Sequence, residues 1–212
     1  MHIGWGHDRV VFVFPNAGFV IKIPNPKVSL SPIRKSATML RENWVAVIRY
    51  REWRFAGYLF EDIGRAVRQS VRGIICNRKE RALFLSLEGD IRQKLLAPTR
   101  LSIWGLVNVQ AYREPSCEKG HAIKAALRIA SGEEDAIQFV RYDDRHHLQY
   151  SGNFHIADDR TVVFLDYGDD RTQQLITDHG ERIATSFSLE AGRRQEREYR
   201  ALIRRQNTRL VS

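Results

Sequence analysis

The sequence predicts an α+β fold, arranged as one domain or as two small lobes that share a cleft, and three observations carry that prediction. Residues 10–14 (VVFVF) and 19–23 (FVIKI) are β-branched and aromatic runs separated by Pro15-Asn16-Ala17-Gly18, the pattern of a β-hairpin. Residues 31–50 and 74–95 repeat apolar side chains at helical spacing. Further strand-like runs stand at 101–105, 106–112 and 161–165. At 212 residues the chain is long enough to bury a sizeable core.

In the first hairpin Lys22 interrupts an apolar run, on the strand face of Val20 and opposite Phe19, Ile21 and Ile23. Taken alone it reads as a lysine snorkelling from a sheet edge. The helix over 31–50 presents Ala37, Leu40, Trp44, Val47 and Ile48 on one side, with Ser31 and Pro32 as cap and first turn. Residues 27–72 are rich in arginine (Arg34, Arg41, Arg49, Arg51, Arg54, Arg65, Arg68, Arg72) interleaved with aromatic side chains, which suits either a solvated helical face or a docking surface for an acidic partner.

The helix over 74–95 gathers Cys76, Leu83, Phe84, Leu87 and Ile91 on one side, and Glu80 falls in the centre of that stripe. A carboxylate is costly to bury unless paired, so either this part of the stripe reaches solvent or a cation meets it. Glu42 points away from Leu40, Trp44 and Ile48 and reads as an ordinary surface acid. Two strands over 101–105 and 106–112 are followed by helical patterns at 121–130 and 133–142, broken at Ser131-Gly132. A loop then leads to Asn153, a short strand, a turn at Asp158-Asp159-Arg160, and the strand 161–165 ending at Asp166. Residues 187–210 read as a basic helix with Leu189, Tyr199, Leu202 and Ile203 as its apolar positions.

With 34 Lys+Arg against 25 Asp+Glu the formal charge is +9, which favours an anionic partner: nucleic acid, a phosphorylated ligand or an acidic protein surface. Cys76 and Cys117 have neither metal nor redox spacing and suggest no disulfide framework. The N-terminal MHIGWGHDRV lacks an apolar signal core, and no run approaches the ~18 apolar residues of a membrane span. A soluble, cytoplasmic protein without membrane association is the expectation.

Four pieces stand in order: the pair Gly4-Trp5-Gly6 before a hairpin, Lys22 in its second strand, Glu80 on a helix, and an Asn153-strand-Asp166-Tyr167-Gly168 unit far downstream. In this order the sequence resembles the protein-kinase-like fold, including small bacterial and phage kinase-like proteins and the aminoglycoside phosphotransferases. In that family a glycine-rich loop covers the ATP phosphates, and a strand lysine binds them while pairing with a helix glutamate. An asparagine and the Asp of Asp-Phe-Gly hold magnesium. GWGHDRVV resembles the glycine-rich loop, with Arg9 in place of its third glycine. VIK, ending at Lys22, resembles the lysine strand; NRKE supplies Glu80; GLVNVQAYREP looks like the fifth strand and the hinge; FLDYG resembles the magnesium strand with Tyr for Phe. Whether Glu80 or Glu42 pairs with Lys22 is left open by sequence.

The resemblance implies an ATP and Mg²⁺ site drawn from Gly4, Gly6, Lys22, Glu80, Asn153 and Asp166, with Asn153 and Asp166 as metal ligands. It implies a β-sheet lobe over 1–112, carrying a basic helical insertion at about 27–72, and a reduced helical lobe over 113–212. One departure bears on chemistry. In His-x-Asp-x-x-x-x-Asn the Asp lies five residues before the Asn, and here Leu148 holds that place, with His146 on the family's His. Leucine accepts no proton, and a positioned general base contributes about 10²–10⁴-fold. Phosphoryl transfer draws most of its acceleration from positioning and charge stabilisation, so the loss weakens catalysis without abolishing it.

The expectation is therefore a pseudokinase or a weak, atypical phosphotransferase acting as a regulatory module. The alternative is a non-enzymatic module that grips nucleic acid or an acidic protein through the basic insertion and the C-terminal helix. A metal-dependent nuclease using Asp158, Asp159 and Asp166 is a more distant third.

Overall fold

The computed structural model describes residues 1–5, 8–44, 53–118, 120–132 and 150–211. It is an α+β chain that divides into two compact units, Met1–Arg81 with Thr99–Tyr112, and Ala82–Pro98 with Arg113–Ser212. The segment Ala82–Pro98 thus differs from the expected lobe over 1–112: Leu87, Leu95 and Leu96 are buried in the core of the second unit. Among the described residues no helix is long and apolar enough to cross a membrane.

In the first unit five antiparallel strands form one sheet: β1 (His2–Trp5), β2 (Arg9–Phe14), β3 (Phe19–Pro24), β4 (Thr99–Ile103) and β5 (Val107–Ala111), in the order β1-β2-β3-β5-β4. The β2–β3 hairpin closes through a 3-10 turn, Pro15–Ala17, and Gly18 at φ 69 returns its N–H to the Pro15 carbonyl at 3.0 Å. Phe14 and Phe19, cross-strand partners, stack with ring centroids 4.9 Å apart. The β4–β5 hairpin turns at Trp104 and Gly105, with φ 51 and 79, the positive-φ pair that a right-twisted two-strand ribbon favours.

Two expectations are corrected here. Gly4 lies inside β1 (His2–Trp5), paired with Val11, and does not sit in a phosphate-covering loop. Gly6 lies outside the described residues. Lys22 is not on an edge either, because β3 is bonded to β2 on one side and β5 on the other.

The helices also differ in extent. The first, α1 (Pro26–Glu42), starts with Pro26 in its first turn, where a missing N–H costs nothing, so Pro32 falls in its interior and Ser31 is no cap. The second, α2 (Arg54–Ser86), is continuous, so the latter part of the basic stretch and the glutamate-bearing segment are one helix and not an insertion followed by another element. No proline interrupts 54–86 to separate them. The expected extension to residue 95 fails at Gly89, whose φ is 80, after which Asp90 caps a separate 3-10 turn, Ile91–Leu95. Gly73 lets α2 approach the sheet: a Cβ there would stand 2.7 Å from the Asp8 carbonyl oxygen.

The second unit holds α3 (Gly120–Ser131), a hairpin of β6 (Phe154–Asp158) and β7 (Thr161–Phe164), α4 (Asp170–Ser186) and α5 (Leu189–Val211). The helix expected over 133–142 lies outside the described residues. Helix α4 was not announced by the apolar pattern, since its residues Asp170–Ser186 carry few large apolar side chains; Asp169 caps it through the Arg171 and Thr172 N–H groups. Phe154 and Phe164 meet edge to face at 5.2 Å over a core with Ile123, Ile176 and Ile183 fully buried. Each of those isoleucines contributes about 1.5–3 kcal/mol by leaving water. Gly192 lets α5 lie on α3, because a Cβ would press on the Ala122 carbonyl and stand 2.7 Å from the Ala126 nitrogen.

Candidate functional site

The interior of the first unit is polar where α2 meets the sheet. Lys22, on an interior strand, is 4% exposed, and its Nζ donates to Glu80 Oε1 at 2.9 Å and Oε2 at 3.2 Å. Glu80 is fully buried. The cation that a mid-stripe carboxylate required is therefore Lys22, and the pairing left open by sequence falls to Glu80; Glu42 is exposed at the last position of α1.

Two further side chains meet the carboxylate. Arg9 Nη1 lies 2.9 Å from Glu80 Oε1, and Asn108 Nδ2 donates to Glu80 Oε2 at 2.8 Å. Topology explains both. Lys22 is the cross-strand partner of Val11 on one side and Asn108 on the other, so Asn108 shares its face. Arg9, two residues before Val11 on β2, lies on that face as well. Asn77, one turn before Glu80 on α2, accepts from Arg9 at 3.1 Å and donates to the Gly105 carbonyl at 2.8 Å. Arg78 Nε bonds the Trp104 carbonyl at 2.8 Å, so α2 holds the β4–β5 turn at two adjacent carbonyls.

In the sequence Arg9 stands out only as a substitution for a loop glycine, and neither Asn77 nor Asn108 stands out as a site residue. The alternation in Val107-Asn108-Val109-Gln110 was the available signal: the polar members, not the valines, are the buried ones. Buried polar groups need partners, and a polar alternation on a central strand points to a network. The network is buried, so attraction between Glu80 and its two cations is strong, and leaving any member unpaired is costly.

In the second unit, Asn153 ends a 3-10 turn, Ser151–Asn153, and Asp166 follows β7. Both are half-buried. The Leu165 N–H donates to the Asn153 carbonyl at 2.8 Å, continuing the β6–β7 ladder by one step and placing Asp166 next to that pairing. On the other side Tyr167 is fully buried; its hydroxyl donates to the Ala97 carbonyl at 2.8 Å, and Gln173 Nε2 donates to the Tyr167 carbonyl at 3.1 Å. The backbone is thus held on both sides of Asp166. Among the described residues no group of three or more His, Cys, Asp or Glu side chains forms a metal cluster. An Asn and an Asp suit magnesium, which binds through one or two carboxylates and keeps water and substrate phosphate as its remaining ligands.

The other acids of the hairpin serve local structure. Asp158 accepts from the Arg160 N–H at 2.8 Å and from the Thr161 hydroxyl, and these hydrogen bonds hold its carboxyl below the ordinary range. Asp159 accepts from Ser188 Oγ at 3.0 Å and from the Glu190 N–H at 2.7 Å, at the start of α5. Along α5, Arg193 pairs with Glu118 and Arg200 with Glu196, so part of its positive charge is neutralised within the chain. Leu148, His146 and the rest of residues 133–149 lie outside the described residues. Comparison with family models, with curated proteins and with solved structures gives no match.

Proposed function

We infer that this chain is a kinase-like nucleotide-binding protein, taking ATP with Mg²⁺, in which phosphotransfer is weak or lost and the nucleotide state serves regulation. The observation that carries this reading is the buried pair between Lys22 on β3 and Glu80 on α2. In kinases that lysine on the third strand pairs with a helix glutamate and contacts the α- and β-phosphates. Supporting it, Asn153 and Asp166 stand beside adjacent rungs of one hairpin, the arrangement expected of magnesium ligands.

The residues divide the work. Glu80 holds the Lys22 ammonium at a defined position, which lowers the entropic cost of meeting a phosphate. Asn153 and Asp166 would hold Mg²⁺, which neutralises phosphate charge when bound. Arg9 is an addition to the family pattern: it gives Glu80 a second cation, so the carboxylate keeps a partner when Lys22 turns toward a phosphate. With leucine where the proton acceptor belongs, binding outlasts turnover in this reading.

Differential scanning fluorimetry tests it. A ligand at a hundred times its Kd stabilises the folded state by about 2.7 kcal/mol, so ATP with Mg²⁺ raises the melting temperature. Asp166→Ala and Lys22→Met remove most of that rise. No shift at millimolar nucleotide, with wild type and Asp166→Ala indistinguishable, overturns the reading. Phosphate transfer from labelled ATP, abolished by Lys22→Met, shows instead that an active phosphotransferase remains.

A further inference from the structure

The β6–β7 hairpin turns Phe154, Val162 and Phe164 into the core of the second unit, and strand alternation sends His155 and Val163, a cross-strand pair, to the opposite face. There a pocket of about 410 Å³ opens, within the range of small-molecule sites. Its apolar wall is Phe84, Leu96 and Val163. Among the described residues its polar side has one sign of charge, because Lys94 and Arg113 line it and no carboxylate does. On the hairpin, Asp158 next to the lining residue Ala157 already accepts from the Arg160 N–H and the Thr161 hydroxyl.

Two of the lining groups are fixed. His155 Nδ1 lies 2.7 Å from the Glu114 carbonyl oxygen, so that nitrogen donates, and Nε2 is left as the group available to a ligand. Gln93 Nε2 donates to the Phe84 carbonyl at 3.1 Å, which holds the 3-10 turn against the end of α2.

We propose that this pocket is a small-molecule site, independent of nucleotide, for an organic anion with an aromatic body: the ring against Phe84, Leu96 and Val163, and the carboxylate, sulfonate or phosphate head between Lys94 and Arg113. Its described lining lies in the second unit, while Lys22 and Glu80 lie in the first, so the proposal does not rest on the nucleotide reading. An apolar wall with a cationic rim rewards only a ligand that carries both parts, since a neutral ring leaves the cations uncompensated and a bare anion forfeits the wall.

The test uses naphthalene sulfonate, titrated into the full chain by its own fluorescence anisotropy and by calorimetry, against naphthol and methyl sulfonate as half-ligands. Naphthalene sulfonate binds at one site and both half-ligands bind at least about tenfold more weakly. Lys94→Gln with Arg113→Gln, both exposed positions, lowers affinity by about tenfold and flattens its salt dependence. Ala157→Trp, which fills the pocket without changing charge, abolishes binding, and Lys22→Met leaves it intact. Equal binding by wild type and the double variant overturns the proposal. So does competitive displacement by ATP, which would assign the pocket to the nucleotide site.

Discussion

Glu80→Gln is the sharpest perturbation of the first unit. The carboxylate is fully buried and serves Lys22 and Arg9, each at 2.9 Å, together with Asn108. Replacing it by an amide keeps the shape and removes the charge, leaving two buried cations facing a neutral group. Breaking a buried ion pair from one side costs about 3–5 kcal/mol. Lys22→Met is different, because Glu80 keeps Arg9 and Asn108 as partners, and the loss is that of a charge-assisted hydrogen bond, about 1.5–3 kcal/mol. The shared geometry therefore predicts an asymmetric pair of variants, with Glu80→Gln the more damaging by on the order of 2 kcal/mol.

Urea denaturation followed by tryptophan emission measures it cleanly. All four tryptophans, Trp5, Trp44, Trp53 and Trp104, belong to the first unit, so emission reports that unit while the second is silent. With slopes of about 1–3 kcal/mol per molar urea, the two variants separate in midpoint by on the order of 1 M. A Lys22→Met variant at least as unstable as Glu80→Gln would falsify the idea that Arg9 sustains the carboxylate. The cycle with Arg9→Met then measures the coupling directly, and Arg9→Met with Lys22→Met together costs more than the sum of the two.

Three further outcomes follow from the same geometry. Tyr167→Phe removes the hydroxyl donor to the buried Ala97 carbonyl and lowers stability by about 0.5–1.5 kcal/mol, read by far-ultraviolet circular dichroism, with faster amide exchange over the Ile91–Leu95 turn. Gly192→Ala overpacks the contact between α5 and α3 and costs about 1–3 kcal/mol, seen in the same melts. Asp90 is held below the ordinary carboxylate range by its hydrogen bond to the Arg92 side chain, then by the Arg92 N–H. A depressed folded pKa means the contribution is complete above the unfolded value, about 3.9, and is lost as pH falls through the folded one. Asp90→Asn therefore flattens the acid limb of the stability profile without changing its neutral plateau in shape.

The sequence by itself determined the local pieces, because they depend on periodicity and turn chemistry over a few residues. The hairpin around Pro15 to Gly18, the strands on either side of Trp104-Gly105, and the Asn153-to-Gly168 unit were all legible in this way. So was the anomaly of Glu80: an acid in the middle of an apolar stripe announces that a partner is needed. The resemblance named Lys22 as a helix glutamate's partner but left Glu80 and Glu42 open, and it did not supply Arg9 or Asn108 as further partners, since sequence separation carries no information about which strand faces which helix. Lys22 is 58 residues from Glu80 and Arg9 is 68 residues from Asn77.

Only the tertiary structure decided those pairings. Sheet order made Lys22 an interior residue and set Asn108 beside it, and the same register placed Arg9 on the buried face, turning what looked like a lost glycine into a second cation for Glu80. Helix extent was decided there too: without a proline between 54 and 86 the backbone continues wherever packing supports it, and Gly73 allows α2 to pass close to the sheet. Propensity sets where a helix can run, but burial against a particular neighbour sets where it does run and which of its polar groups must find a partner.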